Sequence, residues 1–159
     1  MKDVEKFTIE VLQELIKSNK DEYLLFESAS GKSEDTELKY LFAAYARKKK
    51  EYISNLEKEV IRLGGSSETN KNDSVNLIQF YKSSLFDISW DNLIADCLKK
   101  DDLTINKYFY AIRKNIMWEV VPLVAKQYLG LKSFHDQIKN ICMERSSWLS
   151  QQIEIRRLD

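Results

Sequence analysis

The sequence predicts an all-α protein, built as a bundle of four long helices with one long crossover between the second and the third. Only four glycines and one proline occur among its 159 residues, and so few helix breakers favour long, uninterrupted helices. Apolar residues recur at helical spacing in four long segments. No segment shows the sustained alternation of apolar and polar residues that would predict a sheet.

The helical pattern covers about residues 2–29, 35–63, 90–114 and 119–155. Apolar stripes mark the expected inner faces: Val4, Phe7, Val11, Leu12, Leu15, Leu25 and Phe26; Leu38, Leu41, Phe42, Tyr45, Tyr52, Leu56, Val60 and Leu63; Leu93, Ile94, Cys97, Leu98, Ile105, Tyr108 and Ile112; Val121, Val124, Tyr128, Leu131, Phe134, Ile138 and Ile141. We expect these stripes to form the core of a single domain that spans residues 1–159.

Helix ends and connection lengths predict how the helices are arranged. Gly31 precedes a helix start at residues 33–35, and Gly64 follows the second helix as a C-cap should. Both hairpins, first to second and third to fourth helix, have short connections. Between the hairpins lie a polar loop, SSETNKND, and a segment at residues 75–85 whose apolar spacing predicts a short extra helix. This is the ferritin-like arrangement of an up-down bundle with one long crossover.

Composition limits which kinds of binding partner and which cellular compartment are expected for this chain. The 25 basic and 25 acidic residues balance, whereas nucleic-acid-binding proteins usually show a basic excess. No apolar run approaches the ~20 residues that cross a bilayer, and the charged first ten residues are unlike a secretory signal. Cys97 and Cys142 lie among apolar residues and are expected to be buried, reduced thiols. We therefore expect a cytoplasmic protein without nucleic-acid or membrane partners.

Polar residues interrupt the apolar stripes at mid-bundle. Glu22 shares a helix face with Leu15 and Leu25, Asp101 shares one with Ile105 and Tyr108, and His135 shares one with Leu131 and Ile138. On the second helix, Lys48 and Lys49 occupy the matching level, and Glu51 lies close to that face. A buried carboxylate is costly unless it is paired or metal-bound, so these residues are expected to interact.

Two interpretations compete for this polar layer. In the first, Glu22, Glu51, Asp101 and His135 hold iron or manganese. In the second, Lys48 or Lys49 neutralises the carboxylates and no cofactor binds. A di-iron site usually takes four carboxylates and two histidines, whereas this chain contains one histidine. A lysine ammonium among the carboxylates would also repel a metal ion. The second interpretation is therefore predicted, and no motif for a catalytic residue is present.

Five blocks of sequence resemble a known family when they are taken together. They read LIKSNKDEYLLFESA, LFAAYARKKKEYISNLEKEVIRLGG, SVNLIQFYKSSL, DCLKKDDLTINKYFYAI and LGLKSFHDQI, between about residues 15 and 141. In this order and spacing, they resemble an uncharacterised bacterial family of small four-helix-bundle proteins in the ferritin-like superfamily. The resemblance implies the fold directly, whereas function does not follow from fold.

The same resemblance implies a degenerate metal site. Family members carry an acidic residue where Lys48 stands, Glu at the position of Asp101, and a histidine that matches His135. The acidic positions that family members carry on the first helix would fall at Tyr23 or Leu24 of this chain, next to Glu22. A complete ferritin-like site would have Glu in place of Lys132, giving the inward Glu-x-x-His pair.

We therefore expect a non-enzymatic helical bundle, an interaction or stress-associated protein that forms a homo-oligomer, most simply a dimer. The alternative is a metal-binding oxidoreductase or storage protein of the di-iron or di-manganese type. A third possibility is a module that binds a small molecule between the helices.

Overall fold

The computed structural model describes the backbone of residues 2–66 and 90–158, and the side chains of residues 2–66 and 90–145. Within these ranges the chain forms helices and no strands: α1 (Asp3–Lys32), α2 (Thr36–Arg62), α3 (Trp90–Arg113) and α4 (Val121–Leu158). The predicted all-α four-helix bundle is confirmed. The predicted short helix at residues 75–85 lies outside the described residues, and so do the side chains of the amphipathic end of α4.

Backbone geometry at Ser33 and a helix cap at Asp35 determine where α1 ends and α2 begins. The first helix continues through Gly31 to Lys32, three residues beyond its predicted end, because the backbone becomes extended only at Ser33. Asp35 then caps α2, and its carboxylate accepts a hydrogen bond from the Leu38 amide at 3.2 Å. The connection is therefore only a few residues long, and α1 and α2 are antiparallel.

The end of α2 is a glycine-dependent cap, as the sequence predicts. Gly64 has a φ of 87°, which only glycine adopts without strain. Its amide donates to the Ile61 carbonyl at 3.0 Å, and the amide of Gly65 donates to the Val60 carbonyl at 2.9 Å. These two bonds form a Schellman motif that satisfies carbonyls at the helix end.

Side-chain contacts show the direction of each helix. Near one end of the bundle, Thr8 of α1 accepts a hydrogen bond from the amide of Met117, which follows α3. Near the other end, Arg145 of α4 contacts Asp35 at the start of α2. Hence α3 is antiparallel to α1, α4 is antiparallel to α2, and each helix has two neighbours: α1 lies beside α2 and α3, and α4 lies beside the same two.

It follows that α2 and α3 run in the same direction. Trp90, the first residue of α3, contacts Phe42 near the start of α2, so α2 ends and α3 begins at opposite ends of the bundle. One long crossover connection produces this geometry. No helix in the described part of the chain is both long and apolar enough to cross a membrane.

The core is continuous along the bundle and contains a cluster of aromatic rings. Phe26 of α1 contacts Tyr45 edge-on at 4.8 Å between ring centroids, and Tyr45 stacks on Phe134 of α4 at the same distance.

Val4 and Phe7, which the sequence pattern assigns to the inner face, are instead exposed. The reason is that α3 has already ended at their level of the bundle.

The close approach of α2 to α4 at Gly130 can be tested with alanine substitutions. A Cβ atom at Gly130 would collide with the Tyr52 hydroxyl oxygen and lie 3.2 Å from Tyr52 Cζ. Gly130→Ala should therefore destabilise the protein by about 1–3 kcal/mol, as overpacking does. Adding Tyr52→Phe should restore much of the loss, because the colliding oxygen is removed.

Gly31→Ala is the matched control. Nothing lies within 4 Å of a Cβ at Gly31, and alanine stabilises a helical position by about 0.5–1 kcal/mol. Urea unfolding followed by circular dichroism measures both changes. Equal stabilities of the two alanine variants would contradict the close contact at Gly130.

Candidate functional site

Each of the four helices places one ionisable side chain at the same level of the core. Glu22 comes from α1, Lys49 from α2, Asp101 from α3 and His135 from α4, and all four residues are buried. Each lies on the inner stripe of its helix, and an apolar residue follows it one turn later. The four-helix geometry therefore brings together residues that lie up to 113 positions apart in the sequence.

Lys49 is the centre of this charged cluster. Its Nζ atom lies 2.7 Å from Glu22 Oε2 and 2.9 Å from Asp101 Oδ1. The side chain has no exposed surface, and the Tyr45 ring centroid lies 4.3 Å from the ammonium. An ammonium without water must gain its stabilisation from such partners, and here two carboxylates and an aromatic face supply it.

Asp101 is bonded on both of its carboxylate oxygens. The Tyr45 hydroxyl donates to the carboxylate at 2.7 Å, and His135 Nδ1 lies 2.9 Å from Oδ2. Burial raises the pKa of Asp101, but Lys49, His135, Glu22 and Tyr45 together outweigh burial and hold this pKa at about 2. Asp101 is therefore ionised at any physiological pH.

Glu22 contacts the same lysine as Asp101, yet its pKa is shifted in the opposite direction. Burial raises its pKa most strongly, Lys49 lowers it, and the negative charge of Asp101 raises it further, to about 7. The Thr104 hydroxyl donates a hydrogen bond to Glu22 Oε1. Because Asp101 is the stronger acid of the pair, Glu22 is the carboxyl group that takes up a proton near neutral pH.

His135 connects the buried cluster with the surface. Its Nε2 atom lies 3.0 Å from Asp102 Oδ1, and the Asp102 side chain is 63% exposed. Both ring nitrogens thus face carboxylate oxygens, which accept hydrogen bonds and cannot donate them. The hydrogen bond to Asp101 raises the pKa of His135 most, against the effect of burial, and the charges of Asp101, Asp102 and Asp136 raise it further.

Three of the residues predicted for the polar layer lie outside it. Lys48 pairs with Glu51 at 3.2 Å on the outer side of α2, where the Lys48 side chain is 39% exposed and the Glu51 side chain 57%. Lys132 is exposed on α4, because the inner stripe at this level passes through Leu131 and His135. Placing Lys48, Glu51 and Lys132 in the inner layer was therefore wrong. Adjacent residues on a helix point about 100° apart, so one position decides which of Lys48 and Lys49 is buried.

Several members of the cluster were missed by the sequence interpretation. Tyr45 was assigned to the apolar core, yet its hydroxyl binds Asp101. Thr104 lies three residues after Asp101, so its spacing on the inner face was the available signal. No feature of the sequence indicated Asp102. Its contact with the cluster depends on where the neighbouring helix places His135.

A second buried polar layer lies one to two turns along the bundle from the charged cluster. Asn19 Nδ2 donates to the Tyr108 hydroxyl at 2.8 Å, Tyr108 donates to Gln127 Oε1 at 2.7 Å, and Gln127 Nε2 donates to the Tyr52 carbonyl at 3.3 Å. This chain of bonds again includes a residue from each helix. The two layers together make the centre of the bundle polar over about two turns of each helix.

The donor set does not fit a metal ion. Ferritin-like metal sites take carboxylates from all four helices, with histidines on two. Here α2 contributes the Lys49 ammonium, which lies between the two carboxylates that a metal would have to share. Among the described side chains, no group of three or more His, Cys, Asp and Glu residues could hold a metal. The cluster can compensate charge and bind protons.

Replacing Lys49 by methionine should destabilise the protein by about 3–5 kcal/mol, because it leaves Asp101 and Glu22 buried without a cation. Lys48→Met is the matched control, and its effect should stay within about 0.5 kcal/mol because Lys48 pairs with Glu51 on the outer side of α2 and not with a buried carboxylate. Denaturant unfolding measures both. Equal midpoints for the two variants and the wild type would show that Lys49 does not neutralise buried charge.

The free energy of unfolding should decrease as the pH rises from about 4.5 to 7. A carboxyl group whose pKa is raised in the folded state stabilises the fold below its unfolded pKa, and this contribution is lost as pH rises through the folded pKa. For Glu22, a pKa raised from 4.5 to about 7 corresponds to about 3 kcal/mol. The raised pKa of His135 acts in the same direction.

Glu22→Gln should flatten this pH dependence, measured by urea unfolding at a series of pH values. Asp101 has the opposite sign, since its pKa is lowered: its contribution is present above pH 3.8 and is lost as pH falls toward 2. A Glu22→Gln variant with the same slope as the wild type between pH 4.5 and 7 would assign the proton uptake to another group.

A known protein family covers the greater part of this bundle. The family model described as "Domain of unknown function (DUF2383)" matches residues 7–114. The match spans most of α1, all of α2 and α3, and three charged cluster residues: Glu22, Lys49 and Asp101. No curated protein matches the chain at a significant level. Because the match covers more than half of the 159 residues, the chain belongs to the DUF2383 family.

Proposed function

We propose that this chain is a bacterial, ferritin-like bundle without a working di-metal centre, and that it acts non-enzymatically as an interaction or stress-associated protein. One observation carries the proposal: the Lys49 ammonium lies within 2.9 Å of both buried carboxylates. The parallel course of α2 and α3 supports the ferritin-like assignment, since a single long crossover is typical of that superfamily.

Lys49 performs electrostatically what bound metal ions perform in a di-metal protein. Two carboxylates in one buried layer repel each other, and a cation between them removes the repulsion. Lys49 supplies this cation from α2 and thereby joins α1, α2 and α3. His135 adds a further contact to Asp101 and joins α3 to α4. The layer is then held together by side chains from all four helices.

The geometry of the cluster also argues against catalysis. An acid–base catalyst has to come within hydrogen-bond distance of a substrate proton. Lys49 and Asp101 have no exposed side-chain surface, and Asp101 is occupied by Tyr45, Lys49 and His135. Only the Asp102 end of the cluster is exposed to solvent. A structural role therefore accounts for these contacts better than a role in oxidoreduction or metal storage.

A cytoplasmic location is part of the proposal. Cys97 and Cys142 are both free thiols, the first buried and the second partly buried. Free cysteines are typical of a reducing compartment. Burial raises the pKa of both thiols, so neither is predisposed to act as a nucleophile or metal ligand.

Elemental analysis of protein purified without chelators tests the absence of a di-metal centre. We expect iron and manganese well below one equivalent per chain, and no change in thermal stability on adding Mn²⁺ or Fe²⁺. Lys49→Glu is the matched variant, since it removes the repelling ammonium and supplies a carboxylate from α2. This variant should be stabilised by Mn²⁺ if Lys49 is what excludes the metal. Stoichiometric iron or manganese in the wild-type protein would overturn the proposal.

A further inference from the structure

The surface between α1 and α3 forms a groove with a volume of about 260 Å³. Its floor comes from both helices, through Val11, Leu15 and Ala111, which belong to the buried core and are at most 6% exposed. The groove runs between two antiparallel helices on the outside of the bundle, away from the charged cluster. The apolar surface that another protein could cover therefore comes from the exposed side chains that border the groove.

Large apolar side chains continue this surface along both edges of the groove. Tyr110 borders the groove and is 60% exposed, and Leu103, seven residues earlier on the same stripe of α3, is 58% exposed. On α1, Phe7 lies one turn before Val11 and is also exposed. Exposed aromatic side chains at the centre of a surface patch are the residues that most often anchor an interface.

The two edges of the groove carry opposite charges. Glu14 lines the α1 edge, whereas Lys107 and Lys114 line the α3 edge. Within the chain, Lys107 Nζ lies 3.9 Å from Glu14 Oε1 and 3.1 Å from Ser18 Oγ. An exposed ion pair at this distance contributes little to the stability of the chain. These charges are therefore available to a partner with the reverse arrangement.

We propose that this α1–α3 face binds the same face of a second copy of the chain, forming a two-fold symmetric dimer. The inference rests on the proposed role as an interaction protein and names its partner. When the two-fold axis is parallel to the helices, α1 of one protomer lies over α3 of the other at the same height. Each Glu14 then faces the partner's basic edge, and the exposed Tyr110 side chains are covered. Such a self-complementary arrangement is an isologous interface.

Sedimentation of the full-length chain gives the first test. The wild-type protein should sediment at twice the 18.7 kDa chain mass. Glu14→Lys places like charges against each other at two symmetric sites, and should raise the dimer dissociation constant about tenfold for each site. Glu51→Lys is the matched control, because its side chain is 57% exposed against 58% for Glu14, and it also pairs with a lysine. It should leave the dimer unchanged.

Mixing two charge-altered chains separates an interface effect from a folding effect. One chain carries Glu14→Lys, and the other carries Lys107→Glu with Lys114→Glu. Each chain alone should be a folded monomer by circular dichroism and sedimentation, because both edges of its groove have the same charge. A mixture of the two should form heterodimers, since each basic edge then meets an acidic one. Tyr110→Ser should weaken the wild-type dimer, whereas Tyr40→Ser on α2 should not.

A monomeric wild-type chain would overturn the inference and would indicate that residues 67–89 of the same chain, or a different protein, cover this face. A wild-type dimer that Glu14→Lys and Tyr110→Ser leave intact, or a mixture that stays monomeric, would place the interface elsewhere and also overturn it. The metal analysis is independent of these results. A metal-free monomer contradicts the dimer alone, whereas a dimer that contains stoichiometric iron contradicts the proposed function alone.

Discussion

The contact of one lysine with two carboxylates determines how the centre of this protein is organised. Lys49 reaches the interior from α2 and meets Glu22 and Asp101 on two other helices. None of the three could be buried alone, because an uncompensated charge in the core costs several kcal/mol. The helices must therefore keep the register that brings these groups together. Apolar packing alone would tolerate sliding of one helix along another, whereas an ion pair of this geometry does not.

The polar centre also shows how a helical bundle can bury ionisable groups. The second layer, from Asn19 through Tyr108 to Gln127, satisfies its polar atoms mainly within the bundle. The charged cluster reaches solvent through His135 and Asp102, so protons can exchange although Asp101 itself is enclosed. The buried charges are compensated within the interior, whereas the α1–α3 groove proposed as a dimer interface lies on the outside of the bundle.

Particular residues show how far the sequence could be interpreted. Sparse glycines and the apolar stripes predicted the four long helices of the described residues and their bounds to within three residues, and Gly64 correctly marked the end of α2. Gly31 was misleading, because glycine without a left-handed φ does not end a helix, and α1 continues to Lys32. Glu22, Asp101 and His135 were predicted to face inward from helical spacing, and the structure brings them together. Tyr45 was taken for an apolar core residue because its ring packs in the core, so its hydroxyl contact could not be anticipated.

Helical periodicity is a local property, and it was enough to determine the all-α class, the two hairpins and the level at which polar residues enter the core. Periodicity locates the inner face of a helix only to within about one residue. The sequence alone therefore could not decide whether Lys48 or Lys49 points inward. Only the packing of α2 against α1 and α4 decided that Lys49 is buried while Lys48 and Glu51 pair outside. The contacts of Tyr45 and Asp102 likewise depend on where neighbouring helices lie. Distances between helices are set by tertiary packing, and no spacing within a single helix encodes them.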